Sequence, residues 1–342
     1  MRPAERVVAQ LEHRETDFVP YVLSVEEAVA ARLDEYYGDS TWRDLKQDHI
    51  ANVGVTHLFD LEAETEATAR DPFGSLWRTD REPMHMLKPA LPEPDLSGYS
   101  FPEPDDLFRE DWLETGRRRC EELHGQGLFV IGVLGYCLFE RSWTMRGFEN
   151  ALMDMVAHRA FYEELLERIT ELNLEIIERF LRLPLDGIQT GDDWGAQRGV
   201  IMGTERWREL MLPRYARMWG RIKQAGLYTM HHSCGNVSEV VEDVAEAGLD
   251  CLESVQPEAM DPYKLKKRHG RRIAFWGGLG TQRLLPRGTP EEVRREVHRL
   301  CREMGRGGGY ILAPAKPIMA DVPTPNAAAA VEAFLGQSGR SL

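Results

Sequence analysis

His232 and Cys234 stand two residues apart in the run His231-His232-Ser233-Cys234-Gly235-Asn236, just beyond the apolar stretch from Gly226 to Met230. Residues two apart on an extended backbone point to the same side, so this imidazole and this thiol can reach one ion. Gly235 and Asn236 supply the turn that follows. Zinc takes nitrogen and sulfur donors, and a catalytic zinc typically has three protein ligands and one open position. The motif is therefore half of a metal site, and the other half must come from another part of the chain. His231 should point the other way and reads as structural.

The elements that would hold such a site alternate along the chain. Apolar runs predict strands at Phe18 to Leu23, Leu128 to Leu134, Gly187 to Thr190, Leu227 to Met230, Leu249 to Leu252, Arg272 to Trp276 and Tyr310 to Leu312. Between them lie amphipathic helical patterns. Val237, Val240, Val241 and Val244 recur at helical spacing, with Asn236 or Ser238 to cap the start and Gly248 to end it. Thr289-Pro290-Glu291-Glu292 predicts a capped helix start, Met155 to Leu183 a long helix, and Thr204 to Lys223 a helix that Pro213 bends or breaks. Repeated strand and helix predict a parallel sheet, and the length suits a single (β/α)8 TIM barrel over residues 1–342. Residues 60–110 are rich in proline and are expected to form an irregular insertion or lid.

A parallel barrel carries its active site at the carboxyl ends of its strands. Chemically rich residues fall there: Asp192-Asp193-Trp194-Gly195, His232 to Asn236, Glu253 to Gln256, Trp276-Gly277-Gly278, and Ala313 to Lys316. Composition narrows the class further. With a formal charge of −14, the chain is a poor partner for nucleic acid or an anionic membrane, and the basic cluster from Lys264 to Arg272 reads as a solvated helix end. No apolar run spans a bilayer and no leader is seen, so a cytoplasmic enzyme is expected. Cys120, Cys137, Cys234, Cys251 and Cys301 are odd in number and scattered, which predicts free thiols.

The run from Gly191 to Gln197, the His232 to Asn236 motif, Gln256-Pro257-Glu258, Phe275 to Gly278 and Gly308 to Pro314 together resemble the uroporphyrinogen decarboxylase superfamily, as do Glu5 to Val8 and Asp17 to Pro20. The resemblance implies a (β/α)8 barrel and offers two activities. One is metal-free decarboxylation of a tetrapyrrole, a lyase acting on a carboxylic acid. That reaction needs cations near the amino terminus to meet the substrate's carboxylates, and Asp17 to Glu27 is acidic instead. The other is zinc-dependent methyl transfer to or from a corrinoid, in which His232 and Cys234 would be zinc ligands.

Members that act on a coenzyme thiol carry a further cysteine after the last strand, and Gly307 to Leu312 has none. The third ligand is then sought among Glu253, Asp193, Asp192 and Tyr310, with Glu253 preferred at the next strand end. Cys251 is the reserve should a second thiolate be needed. A mixed nitrogen, sulfur and oxygen site makes the ion a stronger Lewis acid, suited to an ether oxygen. The expected reaction is transfer of a methyl group from a methoxylated small molecule, an O-demethylation, to a corrinoid supplied by a partner protein. Homodimerisation is left open. Asp192 and Asp193 are candidate catalytic groups, although an Asp pair after a strand is also a common helix cap. Trp194, Trp276 and Tyr136 are candidate pocket aromatics or core residues, Gln197 and Gln256 candidate substrate hydrogen-bonders, and Lys316 a candidate anion partner.

Overall fold

The computed structural model describes residues 1–81 and 83–339. β1 (Ile50–Asn52) is followed by β2 (Glu62–Ala63), β3 (Thr68–Arg70), β4 (Leu76–Arg78) and β5 (His85–Lys88), which form a small antiparallel sheet. The remaining strands are β6 (Phe129–Leu134), β7 (Gly187–Gly191), β8 (Tyr228–His232), β9 (Cys251–Val255), β10 (Ala274–Leu279) and β11 (Tyr310–Pro314). β1 and β6 to β11 pair in chain order as one seven-stranded parallel sheet, a TIM-barrel-like arrangement. Tyr21 forms a parallel bridge to Leu312, and its carbonyl accepts the His49 N–H at 2.9 Å, so the Tyr21 segment lies between the last strand and the chain entering the first.

The alternation of side chains along the strands separates two cores. Phe129, Ile131, Met230, Cys251, Trp276 and Ile311 pack together on one face, with Val7 and Leu11 of the helix Pro3–Leu11 against them. Val130, Ile188, Leu252, Phe275 and Leu312 point to the other face and pack with the surrounding helices. Each large apolar side chain so buried contributes roughly 2 kcal/mol.

Several expectations need correcting. The segment Phe18 to Leu23 forms the single Tyr21 bridge rather than a strand, and β1, at Ile50–Asn52, was not anticipated. Residues 60–110 are not wholly irregular, since four antiparallel strands lie between Glu62 and Lys88. Most other strands run past their expected ends: Gly191, His232, Glu253 and Gly277, each placed beyond the end of its strand, take part in the parallel pairing. The pattern from Met155 to Leu183 is divided at His158 between helices Phe148–Ala157 and Arg159–Phe180. Thr204 to Lys223 breaks before Pro213 as expected, giving Thr204–Leu210 and Leu212–Gln224. Thr289 and Glu292 make the anticipated reciprocal cap. Asn236 instead closes a local turn on Ser238, and the helix after the motif is only Val241–Glu246. No helix among the described residues is long and apolar enough to cross a membrane.

Candidate metal centre

Parallel register sets the site. Gly191 pairs with His232 and His232 with Glu253, which puts these positions at one level at the carboxyl ends of β7, β8 and β9. A cavity of about 490 Å³ opens there. His232 and Cys234 line it together, half-buried, while His231 and Ser233 between them are fully buried behind it. The Cys234 sulfur lies 3.4 Å from His232 Nε2.

The third donor comes from the loop after β7. Asp193 Oδ1 sits 3.5 Å from His232 Nε2 and accepts the Cys234 N–H at 2.7 Å. One ligand atom from each of Asp193, His232 and Cys234 lies within 4.8 Å of the others, a group able to hold a metal ion. Glu253, the preferred third ligand on sequence grounds, meets the opposite ring nitrogen: its carboxylate accepts a hydrogen bond from His232 Nδ1. Gln189 donates to the same carboxylate oxygen at 3.1 Å. That bond places a proton on Nδ1 and turns Nε2 toward Asp193 and Cys234. Burial opposes a charge on His232, but Glu253 and Asp193 outweigh it and hold the ring well above its ordinary pKa. Burial likewise works to raise Asp193, and its contacts with His232 and Cys234 keep it below the usual carboxylate range.

Two glycines let the loops meet. A side chain on Gly195 would strike the Cys234 carbonyl at 2.5 Å, and one on Gly235 would come within 2.1 Å of the Gly195 carbonyl. Gly235 also has φ of 76°, a left-handed conformation open to glycine. The backbones therefore touch, and Asn236 N–H donates to the Ala196 carbonyl at 2.7 Å.

The other expected site residues separate into two groups. Tyr136, Trp276 and Lys316 line the cavity. Asp192 does not reach it: fully buried, it accepts the N–H groups of Leu138, Phe139 and Glu140, Trp194 Nε1 at 3.2 Å and the Tyr215 hydroxyl at 2.8 Å. It fastens the start of the helix Phe139–Arg146, which is the helix-cap alternative for an Asp pair. Trp194 is core, stacked on His231 with ring centroids 4.1 Å apart. Gln256 is buried and accepts the Gly235 N–H at 3.0 Å, and exposed Gln197 pairs with Gln282. Cys251 lies fully buried among the inward-facing apolar residues, where burial pushes its thiol well up. The Tyr310 hydroxyl donates to the Gly277 carbonyl and is also fully buried.

Gln189, Glu140 and Phe59 are among the cavity residues that escaped the sequence reading. Gln189 sits inside an apolar strand pattern, and only its inward alternation with Gly191 pointed to the mouth. Glu140 comes from the first turn of the helix after β6 and accepts the Asp193 N–H at 3.1 Å. Burial, with Asp192 and Asp193 alongside, raises its carboxyl above the ordinary range. Phe59 comes from the chain leaving β1, in a stretch with no strong pattern.

The family model described as uroporphyrinogen decarboxylase matches residues 112–335. A uroporphyrinogen decarboxylase of Methylococcus capsulatus is 26% identical over 252 residues, covering 70% of this chain and 67% of that protein. A methylated-thiol–coenzyme M methyltransferase of Methanosarcina mazei is 26% identical over 93 residues, covering 27% of this chain and 24% of that one. A solved methyltransferase from Methanosarcina mazei superposes with a TM-score of 0.73 at 18% identity, covering 97% of this chain and 98% of that one, which is a likeness of fold.

Proposed function

This chain belongs to the uroporphyrinogen decarboxylase family, and within it we propose a zinc-dependent methyltransferase that takes a methyl group from a methoxylated small molecule to a corrinoid on a partner protein. The observation that carries the reading is the convergence of Asp193, His232 and Cys234 on the open cavity. In a tetrahedral zinc site, a histidine nitrogen and a cysteine sulfur are separated by about 3.5 Å, and nitrogen and oxygen ligands by roughly 3.4 Å. The cysteine and aspartate donors here lie 3.4 and 3.5 Å from the histidine nitrogen, and all three are within 4.8 Å of one another, a spacing and chemistry that suit the ion.

Asp193, His232 and Cys234 would hold the metal, with Glu253 orienting the histidine rather than ligating. When bound, zinc supplies a Lewis acid that stabilises negative charge on the oxygen losing its methyl group. The protein fixes the donors before substrate arrives: Glu253 and Gln189 set the imidazole, Gln256 holds the turn at Gly235, and the Cys234 N–H holds Asp193. Trp276 and Tyr136 give apolar wall to the substrate body, and Lys316 offers a cation at the rim. The name borne by the Methanosarcina mazei relative, a methyltransferase, supports this branch.

Decarboxylation of a porphyrinogen is the second reading, favoured by the names of the uroporphyrinogen decarboxylase relatives. The cavity wall bears Glu140, Asp193 and Glu253 against Lys316 and His232. A substrate with several carboxylates would meet there one exposed cation, Lys316, because His232 is already held between Asp193 and Glu253, and most of its carboxylates would lose hydration without compensation. Two measurements separate the readings. The methyltransferase should purify with close to one zinc per chain and should methylate a reduced corrinoid from a methoxylated donor. Zinc-free protein from a chelator-free preparation, with carbon dioxide released from a porphyrinogen, would overturn it.

A further inference from the structure

Phe59 is half exposed, at 51%, yet it lies in the wall of the catalytic cavity rather than on a helix flank. Its ring meets Tyr136 edge to face, with centroids 5.2 Å apart and planes at 74°. Tyr136 is itself 36% exposed and is held at φ of 52°, a left-handed conformation that costs a non-glycine residue about 1 kcal/mol or more. The backbone beneath is fixed. The buried guanidinium of Arg141 donates to the Leu58 carbonyl and lies 3.7 Å from the Phe73 ring centroid and 5.5 Å from that of Tyr136. Asp60 N–H closes a turn on the His57 carbonyl. Two aromatic rings in contact with each other thus line the cavity over a backbone fixed by buried groups, with part of each ring exposed.

Gly135 makes the placement of Phe59 specific. A Cβ at Gly135 would lie 2.3 Å from Phe59 Cζ, and its three nearest atoms would all belong to that ring. Only glycine lets the ring settle against the strand end beside Tyr136.

We infer that Phe59 and Tyr136 form an aromatic jaw that selects methyl donors built on a planar ring, with Phe59 as a specificity-determining residue. This rests on the methyl-transfer reading for the role of the ligand, but ring recognition can be measured without transfer. An aromatic body can complete the edge-to-face arrangement that the two side chains begin, and a saturated ring of the same size cannot.

The test compares anisole with methoxycyclohexane, probes alike in size and methoxyl group, by binding to the purified protein and to its Cys234→Ser variant. The wild type should bind anisole more tightly by about fivefold to tenfold. Phe59→Leu should erase the preference, Phe59→Tyr should restore it, and Gly135→Ala, which displaces the ring without removing it, should reduce it. Zinc content should stay unchanged in all three. Equal binding of the two probes by the wild type would overturn the jaw. So would an intact preference in Phe59→Leu, or an effect confined to turnover with a corrinoid protein, which would turn Phe59 toward the partner instead. A preference that persists in a protein unable to demethylate would support the jaw and reject the methyl-transfer reading alone.

Discussion

Asp193, His232 and Cys234 face the cavity, while Asp192, His231 and Ser233, each one residue away, lie fully buried behind them. The two layers share residue types and motifs, and differ in what satisfies them. In the rear layer the polar groups are spent on the fold, His231 Nε2 alone having no hydrogen-bond partner among the described residues: Asp192 takes five donors, His231 Nδ1 meets the Thr190 hydroxyl at 2.8 Å, and Ser233 Oγ accepts the Trp194 N–H at 3.0 Å. In the front layer the donors are held from one side only and converge on one another. Chemistry at the mouth is thus a property of the strand's alternation and of what lies behind it, not of an aspartate or histidine as such.

Breaking the front layer should have the largest effect on activity and the least on folding. His232→Ala and Cys234→Ser are expected to lose bound zinc and methyl transfer together, with the thermal midpoint moved by no more than a few degrees, since both side chains are half-buried. Metal analysis and calorimetry on the same samples check this, and zinc retained in both variants would dissolve the distinction between the layers. Breaking the rear layer should do the reverse. Asp192→Ala strands several buried N–H and O–H donors and should cost about 3 kcal/mol or more in denaturant unfolding. A loss under 1 kcal/mol, or a selective loss of activity, would move Asp192 to the front.

A finer contrast lies within the site. Asp193→Asn removes a proposed ligand, whereas Glu253→Gln removes only the group that orients His232, so zinc should bind the second variant about 10- to 100-fold more weakly but still measurably. Competition against a zinc-binding dye decides it, and the opposite ranking would restore Glu253 as the third ligand. The smallest effect belongs outside both layers. The Arg6 guanidinium beside Asp17 holds that carboxyl at about 2, below its ordinary 3.8. A lowered carboxylate adds stability above its unfolded pKa and loses it on acidification, so the contribution should be full above pH of about 4 and gone near pH 2. Asp17 is nearly half exposed, so the effect is modest. Asp17→Asn should flatten this acid limb and leave zinc binding unchanged.

Much of the site was legible because it rests on period. The two-residue spacing of His232 and Cys234, and the opposite pointing of His231, follow from extended backbone alone and hold in the structure. Parallel strands and the grouping of polar residues at their carboxyl ends were readable for the same reason. What could not be read was the relation between loops. Choosing Glu253 over Asp193 depended on which imidazole nitrogen each carboxylate meets, and no spacing encodes that. Glu140 and Phe59 reach the cavity from the chain after β6 and β1, where nothing local marks them as neighbours of the motif. Strand ends were drawn short because the apolar runs stop at Thr190, Met230, Leu252, Trp276 and Leu312, while the backbone pairing continues through the polar, small and glycine residues that follow.

The contact between Gly195 and Gly235 sets a limit on how the donor set can change. Neither residue offers an atom to an ion, yet a single methyl group at either would pry the two turns apart and carry Asp193 away from its companions. An alanine there is expected to leave the proposed centre with two donors instead of three without altering any of its proposed ligands. Surveys that look for damage only among the proposed ligands would pass over these two positions.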